Sequence, residues 1–326
     1  MNADSVALRI VFFGTPKFAV PALERLLESR HTVASVVTQP DRARGRGQHV
    51  TGGSVKALAA ARGVPVLQPE KIKDPALHDA LRARAPDLGV VAAYGRILPD
   101  DLLALPRLGL INIHASLLPA YRGASPIQHA VINGERETGV SIMRVVRELD
   151  AGPVFAATRR AIGPDETSAD VERALAGLGA DLVMTVVDAL ARGEAVEHPQ
   201  DEARVTYAGK LTKADGLLDW RQPARRLHDR VRGLHPWPHA YSFLRGRRYV
   251  ILRSDGADPK RDPSSAIGSS QPGTIVQAHG DDLVVAAGEE TALRVLEIQP
   301  EGKRPMAARH FLAGHRIRPG DRFESR

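Results

Sequence analysis

The sequence predicts a doubly wound α/β domain followed by a small antiparallel β-barrel. Strand-like and helix-like segments alternate through the first half, which indicates βαβ units and a mostly parallel sheet. The second half instead carries short strand-like runs separated by Gly and Pro. The length of 326 residues exceeds the size at which one hydrophobic core stops growing. We therefore expect a first domain over 1–194, a linker over 195–210 and a second domain over 211–326.

Short apolar runs mark the strands of the first half. They cover 8–13, 32–38, 64–67, 88–92, 110–113 and 139–145. Between or after them, apolar residues recur at helical spacing over 19–27, 54–62, 76–83, 127–133 and 169–191. In such sheets ligands bind outside the carboxyl ends of the strands. Polar residues that directly follow a strand are therefore the first candidates for a site.

The predicted strands of the second half are shorter and closer together. They cover 249–253, 273–278, 283–286 and 293–299. The stretch 254–272 is rich in Ser, Asp, Gly and Pro and has no apolar periodicity, so we predict a mobile loop between barrel strands.

Composition excludes several classes of protein. An apolar fraction of 43% and a charged fraction of 25% are typical of a soluble globular chain, not of a disordered or collagen-like one. The sequence contains no cysteine, which excludes disulfides, thiolate metal sites and thiol nucleophiles. We find no apolar run of about 18 residues and no signal-peptide pattern, so we expect a cytoplasmic protein without a membrane segment.

The net charge of +7 lies mainly in the second half. Residues 201–326 hold 22 Lys and Arg against 16 Asp and Glu, whereas residues 1–200 hold 23 against 22. Within 221–253, nine arginines face a single acid, Asp229. This asymmetry fits a domain that binds a polyanion, and it also fits an ordinary solvated face in an arginine-rich protein.

Common catalytic motifs are absent from the sequence. Gly14 follows the first strand without the further glycines of a dinucleotide fingerprint, and there is no phosphate-binding GxxxxGK motif. Neither a GxSxG elbow nor an HExxH helix occurs. Hydride transfer, nucleotide hydrolysis and zinc-dependent hydrolysis are therefore disfavoured.

One polar cluster stands at the end of an apolar strand. Asn112 and His114 are two residues apart on that strand, so their side chains lie on the same face, and Asp150 ends a later strand-and-loop segment. A carboxamide donor, an imidazole and a carboxylate suit acyl transfer to an amine without a protein nucleophile. Each residue alone also fits a structural role: a satisfied histidine, a turn aspartate or a strand-ending asparagine.

The chain resembles the 10-formyltetrahydrofolate-dependent formyltransferases along nearly its whole length. The residues that carry the resemblance are GTP at 14–16, TQPDR at 38–42, AYGRILP at 93–99, NIHASLLPAYRG at 112–123, PIQ at 126–128, ETGVSIM at 137–143, LDAG at 149–152, TYAGKL at 206–211, DW at 219–220 and PWP at 236–238. Val146 and Glu148 differ from the residues usual in that family.

The resemblance implies a Rossmann-like catalytic domain, a C-terminal barrel resembling an OB-fold, and a set of site residues. The implied catalytic residues are Asn112, His114 and Asp150. The co-substrate 10-formyltetrahydrofolate would contact Ser116, Leu117, Leu118 and Pro119, and its pteridine would lie beside Tyr94, Gly95, Ile97 and Leu98. No metal is expected.

Within the family, the resemblance is strongest to members that formylate the amino group of methionine on charged initiator tRNA. It implies a tetrahedral intermediate that releases tetrahydrofolate. The basic loop 39–50, with Arg42, Arg44 and Arg46, would contact the acceptor stem, since Gly gives flexibility and Arg contacts phosphates and bases. Further tRNA-binding candidates on the barrel are Arg225, Arg226, Arg232, Arg245, Arg247 and Arg248. We expect a monomer.

Three alternatives remain open at this point. A formyltransferase for a sugar nucleotide or an amino sugar would share the site, but would have no use for the basic loop and barrel. A formyltetrahydrofolate hydrolase would use water as acceptor. A nucleic-acid-binding module on an inactive scaffold would predict no folate-dependent turnover.

Overall fold

The computed structural model describes residues 6–41, 43–44, 49–50, 53–255 and 270–324. Contacts divide the chain into two compact units. Unit 1 comprises Met1–Pro126, Thr138–Arg160 and Glu172–Ala208, and unit 2 comprises Ile127–Glu137, Ala161–Val171 and Gly209–Arg326. The sequence-based boundaries at 194 and 210 stay a prediction. The predicted mobile loop 254–272 lies largely outside the described residues.

Eleven strands precede those of the barrel. They are β1 (Arg9–Gly14), β2 (Thr32–Val37), β3 (Ala43–Arg44), β4 (His49–Val50), β5 (Val66–Leu67), β6 (Leu88–Ala92), β7 (Leu110–His114), β8 (Arg122–Gly123), β9 (Glu137–Arg144), β10 (Val154–Ala161) and β11 (Tyr207–Ala208). The helices among them are α1 (Val20–Leu27), α2 (Ser54–Ala61), α3 (Pro75–Arg82), α4 (Asp100–Leu103), α5 (Pro126–Ile132) and α6 (Ser168–Arg192).

Seven of these strands form one sheet in the order β10-β9-β7-β6-β1-β2-β5. Strands β5, β2, β1, β6 and β7 are parallel, and β9 joins β7 antiparallel. From β1 the chain first builds outward through β2 and β5 and then returns to β6 on the other side of β1. The point where the strand order reverses is where α/β sheets bind ligands. The predicted Rossmann-like fold is confirmed.

Local sequence explains these elements. Strand β1 is buried at every position except Arg9, and such continuous apolar runs are typical of parallel strands covered on both faces. Helix α3 begins at a proline, and the carboxylate of Asp74 caps it by accepting a hydrogen bond from the Ala76 amide (3.0 Å). Strand β6 occupies the predicted bounds 88–92.

Helix α6 is long and apolar enough to cross a membrane by length and composition alone. Its apolar residues, however, are buried at helical intervals, for example Val171, Leu175 and Val183. A Cβ placed on its Gly179 would lie only 2.7 Å from Ile113 and 3.4 Å from Val140, so this helix packs closely on the sheet. It is a core helix, and its predicted range of 169–191 is confirmed to within one residue at each end.

Unit 2 contains an antiparallel sheet that curls into a barrel. Its elements are α7 (Ala224–Gly233), β12 (Ala240–Leu244), β13 (Arg247–Asp255), β14 (Ile275–His279), β15 (Asp282–Ala286), β16 (Ala292–Pro300), β17 (Met306–Ala307), α8 (Ala308–Gly314) and β18 (Phe323–Glu324). The strand order is β14-β15-β16-β13-β12-β18, with β17 beside β16.

The two ends of that sheet meet. Thr274, which leads into β14, forms a bridge with Arg322, and the Phe323 amide donates a hydrogen bond to the Gly273 carbonyl (2.8 Å). Inside the barrel, the Trp220 ring stacks on Phe323 with centroids 5.7 Å apart. The predicted small C-terminal barrel is confirmed.

Candidate active site

Hydrogen bonds join the loops that follow β6, β1 and β2, which are neighbours in the sheet. Thr15 follows β1, and its hydroxyl accepts a hydrogen bond from the Gln39 amide (3.2 Å) just after β2. The Gln39 carboxamide donates to the Tyr94 carbonyl (2.7 Å), which follows β6. The loops after three strands are thereby joined beside the point where the strand order reverses.

Asn112 and His114 both lie on β7, where the apolar run ends. The Asn112 side chain is partly exposed and, among the residues that the structure describes, has no hydrogen-bond partner. Its carboxamide is therefore available to a substrate. His114 is buried, at 5% exposure.

The histidine ring is held on one side by the loop that follows β7. The His114 Nε2 lies 3.0 Å from the Tyr121 carbonyl oxygen. Because a carbonyl oxygen can only accept, Nε2 carries the hydrogen of this bond. The other ring nitrogen, Nδ1, lies 3.7 Å from Asp150 Oδ2, which is outside hydrogen-bond distance.

Asp150 lies in a loop with a backbone conformation that is uncommon for its residue type. Its φ angle is +50°, in the left-handed region. The carboxylate accepts a hydrogen bond from the Gly123 amide (2.8 Å). Gly123 has φ +119°, and a Cβ there would lie 2.6 Å from the Ala208 carbonyl oxygen. Only glycine fits this close approach without displacing backbone.

The predicted co-substrate loop 116–119 is tightly folded. The Ser116 hydroxyl donates to the Ala120 carbonyl (2.6 Å), and the Ser116 carbonyl accepts from the Ser141 hydroxyl (2.8 Å). The Leu118 amide in turn donates to the Ser141 hydroxyl (3.1 Å). Leu117, Leu118 and Pro119 are partly exposed. The hydroxyls of Ser116 and Ser141 thus stabilise the loop. The apolar side chains of the loop remain available to contact a ligand.

The residues predicted beside the pteridine differ in exposure. Tyr94 is buried edge-on against Phe13, and burial raises the pKa of its hydroxyl. Among the described residues that hydroxyl has no hydrogen-bond partner. Gly95 has φ +76°, Leu98 is buried, and Ile97 is 80% exposed.

The basic loop is described only in part. Arg42 and Arg46 lie outside the described residues. Arg44 belongs to β3, which pairs antiparallel with β4 through Arg44 opposite His49 and Ala43 opposite Val50.

The six barrel arginines fall into different environments. Arg225 and Arg247 are exposed without a partner in the described parts of the chain. Arg226 and Arg245 are also exposed, and donate to the Asn133 carbonyl and to Asp321 respectively. Arg248 lies over the Tyr241 ring, 4.0 Å from its centroid.

Arg232 is different, because it is buried. It is 6% exposed, and its guanidinium pairs with the equally buried Asp229 (2.6 Å) and donates to the Glu166 carbonyl (3.0 Å). Both of these contacts are within unit 2. A guanidinium engaged in this way stabilises its own domain, so we remove Arg232 from the candidate tRNA surface.

Three residues near Asp150 received no role in the sequence analysis: Arg122, Gln200 and Glu202. The buried Arg122 side chain bonds both of the others, at 2.9 Å to Gln200 Oε1 and 2.7 Å to Glu202 Oε1. Gln200 and Glu202 belong to the polar stretch predicted as a linker. The sequence offered one indication, an arginine inside the otherwise apolar loop 115–123. It did not indicate which residues this arginine would bind.

This arrangement can stabilise charge on an acyl oxygen and move a proton. A free carboxamide, a buried imidazole and a carboxylate adjoin the strand ends, and apolar side chains border them. Donors fixed before reaction stabilise a developing oxyanion without reorganising. Fold and site together are those of an acyl-transfer enzyme of the α/β type.

Comparison with known proteins identifies the class. The sequence model described as formyl transferase matches residues 8–187, and that of the formyl transferase C-terminal domain matches residues 210–316. The chain belongs to the formyl transferase family.

Its full-length relatives specify the group within that family. Methionyl-tRNA formyltransferase of Methylococcus capsulatus is 46% identical, over 95% of this chain and 98% of that protein. Methionyl-tRNA formyltransferase of Myxococcus xanthus is 47% identical, over 96% of each. Among solved structures, an N-formyltransferase from Helicobacter canadensis in complex with folinic acid and dTDP-3-aminofucose superposes with a TM-score of 0.67 at 15% identity, over 90% of this chain and 99% of that one. At that identity the likeness is one of fold.

Proposed function

We propose that the chain transfers the formyl group of 10-formyltetrahydrofolate to the amino group of methionyl initiator tRNA, for translation initiation. The observation that carries the proposal is the placement of Asn112 and His114 at the end of β7 with Asp150 opposite, in a chain 46% identical over nearly its full length to a methionyl-tRNA formyltransferase.

The three side chains divide the chemistry of formyl transfer. As the methionine nitrogen attacks, the formyl oxygen gains negative charge, which the unpartnered Asn112 carboxamide stabilises by donating a hydrogen bond. His114 donates to the same oxygen, or takes the proton that the amine loses and passes it to the folate nitrogen, whose bond to the formyl carbon breaks as the intermediate collapses. Asp150 Oδ2 lies 3.7 Å from His114 Nδ1, so the carboxylate faces the imidazole ring and can orient it.

The residues around the strand ends fit a folate. One polar group there, the partly exposed Asn112 carboxamide, lacks a partner among the described residues. Ile97 is an exposed apolar side chain on the loop after β6, suited to cover an aromatic ring. We assign the co-substrate to Tyr94, Gly95, Ile97 and Leu98 and to the loop 116–119, and we involve no metal in the reaction.

We assign tRNA binding to arginines of each unit. They are Arg42, Arg44 and Arg46 of the basic loop, and Arg225, Arg226, Arg245, Arg247 and Arg248 of the barrel. Guanidinium groups bind phosphate oxygens and base edges and release counterions on binding. We further propose that the protein is a monomer and lies in the cytoplasm.

Transfer of labelled formyl from 10-formyltetrahydrofolate tests this function. Methionyl initiator tRNA is compared with methionyl elongator tRNA, free methionine and an amino-sugar nucleotide. Transfer to the initiator tRNA alone supports the proposal. Transfer to the amino sugar, or release of formate without any acceptor, would overturn it in favour of a sugar formyltransferase or a hydrolase.

A further inference from the structure

We infer that Gln200 is a positioning residue for Asp150, and that Arg122 orients the Gln200 carboxamide. The inference deepens the proposed function, on which its kinetic test rests. All the residues involved lie in unit 1, and the segment that contains Gln200 was predicted only as a linker.

The Gln200 carboxamide bridges the two sides of the Asp150 residue. Its Nε2 donates to the Asp150 carbonyl (2.8 Å) and to the Gly152 carbonyl (2.7 Å). Both hydrogens of the amide group are therefore used on one loop. A side chain 50 residues away in sequence restrains that loop at two points.

The orientation of the carboxamide is determined by its partners. Gln200 Oε1 accepts from Arg122 Nε (3.0 Å) and Nη2 (2.9 Å). A guanidinium only donates and a carbonyl only accepts, so the amide oxygen must face Arg122 and the nitrogen must face the loop. Reversing the amide would break all four bonds.

Arg122 is itself fixed. It is 3% exposed and also pairs with Glu202 (2.7 Å). The hydrogen bond to Glu202 raises the pKa of Arg122, although burial opposes that shift. The arginine is thus a permanently charged double donor, and the glutamine transmits its fixed position to the Asp150 loop.

The same short strand also holds the Asp150 side chain. Gly123, the residue after Arg122 in β8, donates its amide hydrogen to Asp150 Oδ2 (2.8 Å). The backbone carbonyl of Asp150 is held through Gln200, and its carboxylate is held directly. Two attachments keep a residue with φ +50° in place beside His114. Loss of one of them should let the carboxylate move away from the ring.

The sharpest substitution is Gln200→Glu. A carboxylate of the same size keeps the bond to Arg122 but cannot donate to the Asp150 and Gly152 carbonyls, so it repels them. Gln299→Glu is the matched control, because Gln299 also donates to a backbone carbonyl, that of Lys303 (2.7 Å), in the barrel. Gln299 belongs to neither proposed substrate surface.

Kinetics of the full-length enzyme give the first readout. We expect Gln200→Glu to lower kcat about 10- to 100-fold with the KM for tRNA changed less than about threefold, since small misplacements of reacting groups cost this much. In an Asp150→Asn background the same substitution should lower kcat by less than about threefold, because the effect of Gln200 acts through the Asp150 carboxylate. Equal losses in both backgrounds, or parental kcat in Gln200→Glu, would overturn the inference.

Hydrogen exchange gives a second readout that needs no substrate. We expect the Gly123 amide to exchange at least about tenfold faster in Gln200→Glu than in the parent and in Gln299→Glu, because its acceptor is released. Unchanged protection of Gly123 overturns the positioning role even if the enzyme acts on a different acceptor. If the parent fails to formylate tRNA but Gly123 exchange rises as expected, the proposed function fails and the positioning role stands.

Discussion

His114 and Asp150 face each other across 3.7 Å, from Nδ1 to Oδ2, and one loop holds both of them. The Tyr121 carbonyl accepts from the histidine at Nε2 (3.0 Å), and the Gly123 amide donates to the aspartate (2.8 Å). Two residues of the loop after β7 therefore set the separation of the pair.

Replacement of His114 by alanine tests whether the imidazole takes part in the reaction. We expect turnover to fall by about two to four orders of magnitude, since general acid–base catalysis and oxyanion stabilisation have this size. The measurement is formyl transfer at saturating substrates, with His279→Ala as control, because His279 is an exposed histidine in the barrel. Turnover within a few-fold of the parent for His114→Ala would exclude the mechanism.

The sequence predicted the parts of the site that follow local rules. An apolar run ended by Asn112 and His114 is a strand with a polar carboxyl end, and α6 follows from helical periodicity. Strand β10 was missed, because two adjacent arginines, Arg159 and Arg160, interrupt the apolar pattern that marks the other strands. The hydrogen bond between Arg122 and Gln200 spans 78 residues, and no local sequence pattern predicts a partner at that separation. Such contacts are decided by tertiary packing.

Arg46→Ala tests the basic loop. Removing one guanidinium that contacts phosphate or a base should raise the KM for methionyl initiator tRNA by about 5- to 100-fold, while folate binding is unchanged. The control is Arg62→Ala, which removes an exposed arginine that pairs with Glu28 (3.7 Å). Both substrates are titrated separately. An equal loss of affinity for both would mean that the loop shapes the pocket and does not contact tRNA.

Two arginines of α7 should behave in opposite ways. Arg232→Ala leaves the buried Asp229 carboxylate without its partner, so we expect the free energy of unfolding to fall by about 3–5 kcal/mol. Arg225→Ala, on the exposed face, should change stability by less than about 0.5 kcal/mol. It should instead weaken tRNA binding and reduce the salt dependence of binding by about one counterion.

Urea unfolding and tRNA binding at several salt concentrations separate these two effects. A stable Arg232→Ala variant with impaired tRNA binding would return that residue to the tRNA surface. An Arg225→Ala variant with the parental salt dependence would remove Arg225 from it.

The Arg122–Glu202 pair predicts a pH dependence of stability. The hydrogen bond from Arg122 lowers the pKa of Glu202 below the ordinary glutamate value of 4.5. A carboxylate with a depressed folded-state pKa stabilises the protein fully above its unfolded pKa, and this stabilisation is lost as the pH falls through the folded value. Glu202→Gln should therefore be less stable than the parent near neutral pH. The difference should begin to shrink as the pH falls below about 4.5 and should be lost as the pH falls through the lower folded-state pKa.

Thermal unfolding of the parent and of Glu202→Gln between pH 7 and pH 3.5 measures this difference. Glu301→Gln serves as control, since Glu301 is exposed and has no ion-pair partner in the described parts of the chain. Because the Glu202 side chain is 71% exposed, added salt should reduce the difference at neutral pH. A difference in Tm that persists unchanged to the lowest pH would mean that Glu202 acts through its shape and not through its charge.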